Sequence, residues 1–415
     1  MPAPPLSPPL TDTPAALLHA LGGGLRTMAA YWRASPFMQV SPAWCAAHPE
    51  LAADCLALDD AAVAALRADP AALQAFVGAR LPALEALAPL LGMAEGMAVG
   101  MAPCGGSAYA ASAIAPRALA GIPGRKQQQI AHFAAQLAPG PEPLLDWCAG
   151  KAHLGRTLAR LQQRPLHAVE RDAALCAAGE RLAARAGVGA QYQCRDVLRE
   201  PVQAPPKALV LALHACGDLH RRLIDGPVMD AAQGLLLAPC CYHLWLDGPY
   251  RPLSALARQH DLALSRNAVQ LAVQETVHAP ERELRRQQEL AAWRLGFDTL
   301  QRELRGVDTY LPTPSLPQRV LQQGFPAVCQ QLAARKQLAL PAAVDWEHYR
   351  RAGAQRLQRA RRLSLVRQAF RRAIELWLVQ DLRLRLEERG YTTTLQTFCA
   401  REVTPRNLLI SARRR

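Results

Sequence analysis

Three acidic residues, Asp146, Glu170 and Asp196, each lie at the end of a short expected strand, and each could meet a different part of a nucleotide. Asp146 lies in Leu144-Leu145-Asp146-Trp147 and leads into Cys148-Ala149-Gly150-Lys151-Ala152-His153-Leu154-Gly155, a small-residue loop that opens a helix. Such a loop turns backbone N–H groups toward a nucleotide-like ligand. Gly150 lets the backbone approach closely, and Leu154-Gly155 lets the helix pack tightly on the strand. Glu170, 24 residues after Asp146, could accept hydrogen bonds from the two hydroxyls of a ribose. Asp196, after Gln191-Tyr192-Gln193-Cys194, stands where an adenine edge would lie. The expected cofactor contacts are Asp146, Cys148, Ala149, Gly150, His153, Leu154, Gly155, Glu170 and Asp196.

Two further strand ends could move protons. They are His214-Ala215-Cys216-Gly217-Asp218 and Pro239-Cys240-Cys241-Tyr242-His243. In an open parallel sheet, ligands bind beyond the carboxyl ends of the strands, so both stretches face the same crevice. Asp218, His214 and His243 are the candidate bases for an acceptor that must lose a proton. Tyr242 is placed to stack on a nucleobase. The competing chemistry is a metal site from Cys216, Cys240 and Cys241 with His214, His220 and His243. The spacing lacks the short Cys-to-Cys or His-to-His intervals of zinc sites, and adjacent Cys240 and Cys241 do not easily reach one ion without strain. No metal is therefore expected, and Cys148, Cys216 and Cys240 read as small apolar packing residues.

The elements that position these residues follow from periodicity. Strands are expected at Leu144–Cys148, Leu166–Glu170, Gln191–Arg195, Ala208–His214 and Gly234–Pro239, with helices starting near His153 and Ala173. Near-continuous apolar runs such as Ala208-Leu209-Val210-Leu211-Ala212-Leu213 fit strands buried on both faces. Strands separated by helices predict an α/β fold, a doubly wound parallel sheet. Two later strands, Tyr391 to Phe398 and Asn407 to Ala412, can pair antiparallel at its edge. The expected divisions are a disordered leader at 1–12, a helical N-terminal domain at 13–135, and the first part of the core at 136–243. A mostly helical insertion at 244–345 and a basic helix with the terminal strand pair at 346–415 complete the chain. Gly121-Ile122-Pro123-Gly124-Arg125-Lys126 reads as a turn opening a helix whose first-turn cations hint at an anion.

The chain has 415 residues, half of them hydrophobic, and a net charge of +14. No apolar run reaches the ~18–20 residues that span a bilayer, so no membrane association is expected. Eleven scattered cysteines favour reduced thiols and a cytoplasmic setting. From Asp345 to Arg415 there are 17 arginines, no lysine and 7 acids, which suggests a polyanionic partner. Arg351, Arg356, Arg359 and Arg362 are expected on a helix that projects before the apolar seam beginning at Leu363, toward solvent or a phosphate backbone.

Asp-x-Cys-Ala-Gly-Lys-x-His-Leu-Gly, His-Ala-Cys-Gly-Asp and Pro-Cys-Cys-Tyr-His, in this order, resemble one methyltransferase family. It includes the tRNA 2′-O-methyltransferase with a Cys-His-His-Cys finger, the glutathione S-transferase C-terminal-domain-containing protein and methyltransferase-like relatives. Thr404-Pro405-Arg406-Asn407 and the Gln-rich helix from Gly124 to Ile130 also resemble elements of that family. The likeness covers about 121–243 and 365–415. It implies the Rossmann-like sheet of class I methyltransferases and S-adenosyl-L-methionine as cofactor. RNA is the expected acceptor. The other readings are a protein or small-molecule acceptor, a nucleic-acid-binding protein without transfer, and a nicotinamide oxidoreductase. The family's Gly-Lys-Gly-His is here Gly150-Lys151-Ala152-His153, and a left-handed backbone at 152 would cost alanine on the order of 1 kcal/mol.

Overall fold

The computed structural model describes residues 13–92, 114, 122–274 and 281–415; the expected leader and Gly121 lie outside the described residues. Seven strands form one sheet: β1 Leu144–Trp147, β2 Leu166–Glu170, β3 Ala190–Cys194, β4 Leu209–Cys216, β5 Gly234–Cys240, β6 Tyr391–Thr397 and β7 Leu408–Arg414. Their order is β3-β2-β1-β4-β5-β7-β6. The first five are parallel, and β7 lies antiparallel between β5 and β6. This is the expected Rossmann-like plan. β1 and β5 are buried along their whole lengths, β5 as its unbroken apolar run requires and β1 with Asp146 among its buried residues. The helix His153–Gln162 follows β1, and Ala173–Arg185 follows β2, its first turn capped by the Asp172 carboxylate. The direction in which strands are added reverses between β1 and β4, which opens the crevice where such sheets bind ligands.

The chain divides differently from the expected domains. One compact unit takes the described parts of Met1–Arg26, Ala86–Val277 and Arg371–Arg415; the other takes those of Thr27–Glu85 and His278–Phe370. The described residues of 13–135 are divided between the two units. The segment expected as an insertion from 244 contributes its first part to the sheet unit, in the helices Ala255–Gln259 and Arg266–Leu271. The expected long helix is two, Trp346–Gln368 and Arg371–Glu388, one in each unit. Among the described residues no helix is long and apolar enough to cross a membrane.

The all-helical unit overturns the expected projecting arginine helix. Trp346–Gln368 packs against Glu281–Arg305 where Gly353 meets Gly296, so closely that a Cβ on Gly353 would lie 2.6 Å from the Gly296 nitrogen. Arg356 pairs with Asp298 at 2.8 Å, and Arg302 reaches the same carboxylate at 2.8 Å. Arg359 donates to the Val40 carbonyl, and Arg362 donates to the Leu58 carbonyl and pairs with Asp60. These three arginines hold the unit together, and Arg351 alone of the expected four is largely exposed, at 65%. The Asp298 side chain is only 1% exposed, so removing one of its cations leaves a buried charge poorly compensated. Arg356→Ala should therefore destabilise the protein by on the order of 2 kcal/mol, read by urea unfolding. Unchanged stability would return Arg356 to the pool of candidate ligand-binding cations.

Candidate functional site

The loop after β1 is built from backbone strain and hydrogen bonds. Cys148 and Ala152 have φ of 56° and 48°, and Gly150 has 57°. Ala152 thus pays the expected left-handed cost, while it is fully buried and its N–H bonds to the Ala149 carbonyl at 2.8 Å. The Ala149 N–H donates to the Val169 carbonyl at 2.9 Å, which ties the loop to β2. A Cβ on Gly150 would meet nothing within 4 Å, so the loop borders open space there. At Gly155 the opposite holds: a Cβ would lie 2.6 Å from Leu166 Cδ1 and 2.8 Å from Asp146 Oδ2.

Asp146 holds the start of the following helix in place. It is 3% exposed, and its Oδ2 accepts the Gly155 N–H at 2.9 Å. Leu154 is likewise core, 5% exposed. Burial raises the Asp146 carboxyl to about 7, against the pull of the Gly155 amide. An unfolded aspartate titrates near ~3.9. Between about pH 4 and 7 the folded state therefore holds a proton that the unfolded state has lost, and stability falls as pH rises through that window. Asp146→Asn should flatten this slope, since its amide oxygen still accepts from Gly155. Parallel pH–stability curves for the two proteins would refute the assignment.

Glu170 stands at the end of β2 as expected. Its Oε2 accepts the Gly150 N–H at 2.9 Å, and its Oε1 accepts those of Arg171 and Asp172 at 2.9 and 3.0 Å. Oε1 is thus fully used, and Oε2 keeps acceptor capacity for a hydroxyl. Asp196, after β3, accepts the Leu198 N–H at 3.1 Å and is partly exposed. His153 opens its helix with Nδ1 2.9 Å from Arg156 Nη2, and burial lowers it to about 4, so it is neutral at pH 7.

The ends of β4 and β5 interlock. The β4–β5 register shifts between Leu213 and Cys216, and His214 has φ 65°. His214 Nε2 lies 2.9 Å from Gln129 Oε1, and burial lowers the imidazole to about 4. The Gly217 and Asp218 N–H groups donate to the carbonyls of Cys240 and Leu244 at 3.1 and 3.2 Å. Asp218 opens the helix Asp218–Asp225 and pairs with Arg221 at 2.9 Å. Burial raises its carboxyl while Arg221 opposes the shift. His243 is pushed down by burial, and its Nδ1 is buried without a hydrogen-bond partner.

Tyr242 does not serve as a stacking platform. Its ring is 1% exposed and packs edge-on against His220 at 5.7 Å. The exposed aromatic is Trp245, 48% exposed at φ 61°, with the Arg171 guanidinium 5.2 Å from its ring centroid. The chain after β5 thus reaches the residue that follows Glu170 at the end of β2. Neither Trp245 nor Arg171 is legible as a site residue from the sequence, because nothing local says that the β5 loop folds back. Gln129 carries a weak signal, the Gln-rich helix. Five of the nine non-glycine residues at positive φ among the described residues, Cys148, Ala152, His214, Cys241 and Trp245, cluster at these strand ends. Strain concentrated in this way marks functional loops.

A family model described as a methyltransferase domain matches residues 125–246, which span the five parallel strands and all these loops. No curated protein compared with the chain matches it. The domain match and the sheet together support a methyltransferase of class I.

Proposed function

We propose that the chain transfers a methyl group from S-adenosylmethionine to an acceptor held at the ends of β4 and β5. The observation that carries this reading is the join of the β1 loop to Glu170 through the Gly150 N–H, at the switch point of a parallel sheet. The residues fit that cofactor. Gly150 faces space that even a Cβ would not fill, and Glu170 Oε2 can still accept from a ribose hydroxyl beside it. Ala149, Cys148 and His153 would border the ligand with Gly150, and Asp196 would meet the adenine. When bound, the cofactor supplies a methyl group on a sulfonium that is already a good leaving group. The chain's part is then to orient the acceptor and exclude water. Asp218, His214 and His243 are the groups able to take a proton from a hydroxyl acceptor.

RNA is proposed as acceptor on charge alone: +14 for the chain, with Arg351 still exposed. The narrower likeness to the tRNA 2′-O-methyltransferase family rests on the three strand-end motifs. The free thiols of the ten described cysteines support a reducing, cytoplasmic setting. The test is a methyl-labelled donor incubated with the protein and cell extract, followed by separation of RNA, protein and small molecules. Label in RNA supports the full reading. Label only in protein or small molecules moves the acceptor class, and no label in any fraction favours a binding protein that has lost transfer.

A further inference from the structure

We propose that Cys216, Cys240 and Cys241 form a three-thiolate site for zinc, a second site beside the cofactor cleft. Their sulfurs all lie within 4.8 Å of one another, with Cys216 Sγ 3.3 Å from Cys240 Sγ. Three sulfurs bound to one tetrahedral ion at about 2.3 Å stand ~3.8 Å apart, inside that 4.8 Å limit and ~0.5 Å beyond the Cys216–Cys240 separation. Small side-chain rotations therefore suffice to close the site.

The backbone explains how neighbours in sequence come to share an ion. Successive side chains of an extended strand point to opposite faces, which would separate Cys240 from Cys241. Cys241 instead has φ 45°, a left-handed turn that brings its sulfur back beside that of Cys240. That conformation is unfavourable for a residue with a Cβ. The irregularity in β4 between Leu213 and Cys216 sets Cys216 opposite Cys240 in register. Two separate departures from regular strand geometry thus converge on one sulfur cluster.

The electrostatics suit a cation. Cys216 and Cys240 hydrogen-bond to the Cys241 sulfur and hold it far below the usual thiol range, with Arg406 and His243 acting in the same direction. Zinc would bind all three sulfurs as thiolates and displace their protons. His243 Nδ1, buried and without a partner, lies outside the sulfur cluster, so only the three sulfurs are assigned.

The test uses the full chain, purified reduced, stripped with a chelator and titrated with zinc and with cobalt. The expected result is one zinc per chain, and cobalt bands showing thiolate coordination. Cys241→Ser, which removes a partly exposed ligand, should weaken zinc by more than the roughly tenfold that loss of an outer-shell partner costs. Circular dichroism confirms that each variant is folded, and protection of the wild-type thiols from maleimide by zinc gives a readout that needs no variant. Folded, reduced wild type that takes up no zinc and shows no thiolate–cobalt bands would overturn the proposal. So would undiminished zinc affinity in Cys241→Ser. No methyl transfer is measured, so failure here leaves the methyltransferase reading standing.

Discussion

Glu170→Ala should lower affinity for S-adenosylmethionine by about a hundredfold. The carboxylate is proposed to accept from a ribose hydroxyl at Oε2, and a hydrogen bond to a charged group contributes ~1.5–3 kcal/mol. The upper end of that range, ~3 kcal/mol, is about two decades in Kd. A second effect acts in the same direction. Glu170 also takes the N–H groups of Gly150, Arg171 and Asp172, so its loss frees the β1 loop that should border the ligand. Glu170→Gln keeps one acceptor oxygen and should fall between wild type and alanine. Titration calorimetry on variants of matched melting temperature separates this from unfolding. Equal affinity in wild type and Glu170→Ala would remove the ribose assignment.

Gly217→Ala should abolish transfer and cost on the order of 3 kcal/mol of stability. Gly217 has φ 54° and ψ −126°, a region that side chains avoid. A Cβ there would overlap the Leu244 carbonyl oxygen and stand 2.7 Å from its carbon. Neither is the end of a flexible side chain, so the β5 loop would have to move, taking His243 and Trp245 with it. Gly150→Ala is the control. Gly150 has nearly the same φ, 57°, but open space around it, so only the ~1 kcal/mol backbone cost applies to stability. Equal stability losses in the two variants would show that φ, not the clash with Leu244, governs Gly217.

Much of the sheet was legible in the sequence because parallel strands buried on both faces leave unbroken apolar runs, as in Leu209-Val210-Leu211-Ala212. The acid ending β2 was legible for a related reason: polarity returns where a buried strand leaves the core. What failed was non-local. Arg356 looked free because Asp298 is distant in sequence, and periodicity does not reveal an ion pair between two helices. Tyr242 looked like a platform because an aromatic residue after a strand faces solvent or core with equal local plausibility; His220 and the β4–β5 interlock decide for the core. The left-handed turn at Cys241 was hidden because cysteine carries no signature of positive φ. The two-unit division was hidden too, since each unit is assembled from separated segments.

The central claim is that this crevice binds S-adenosylmethionine, and titration calorimetry of the full chain with S-adenosylmethionine and S-adenosylhomocysteine tests it most directly. The account predicts one site per chain in the micromolar range for both ligands, weakened in Glu170→Ala and unaffected in Arg356→Ala under conditions where that variant is folded. Absence of binding heat from folded wild type across a range of temperatures, or tighter binding of a nicotinamide dinucleotide at the same site, would contradict it.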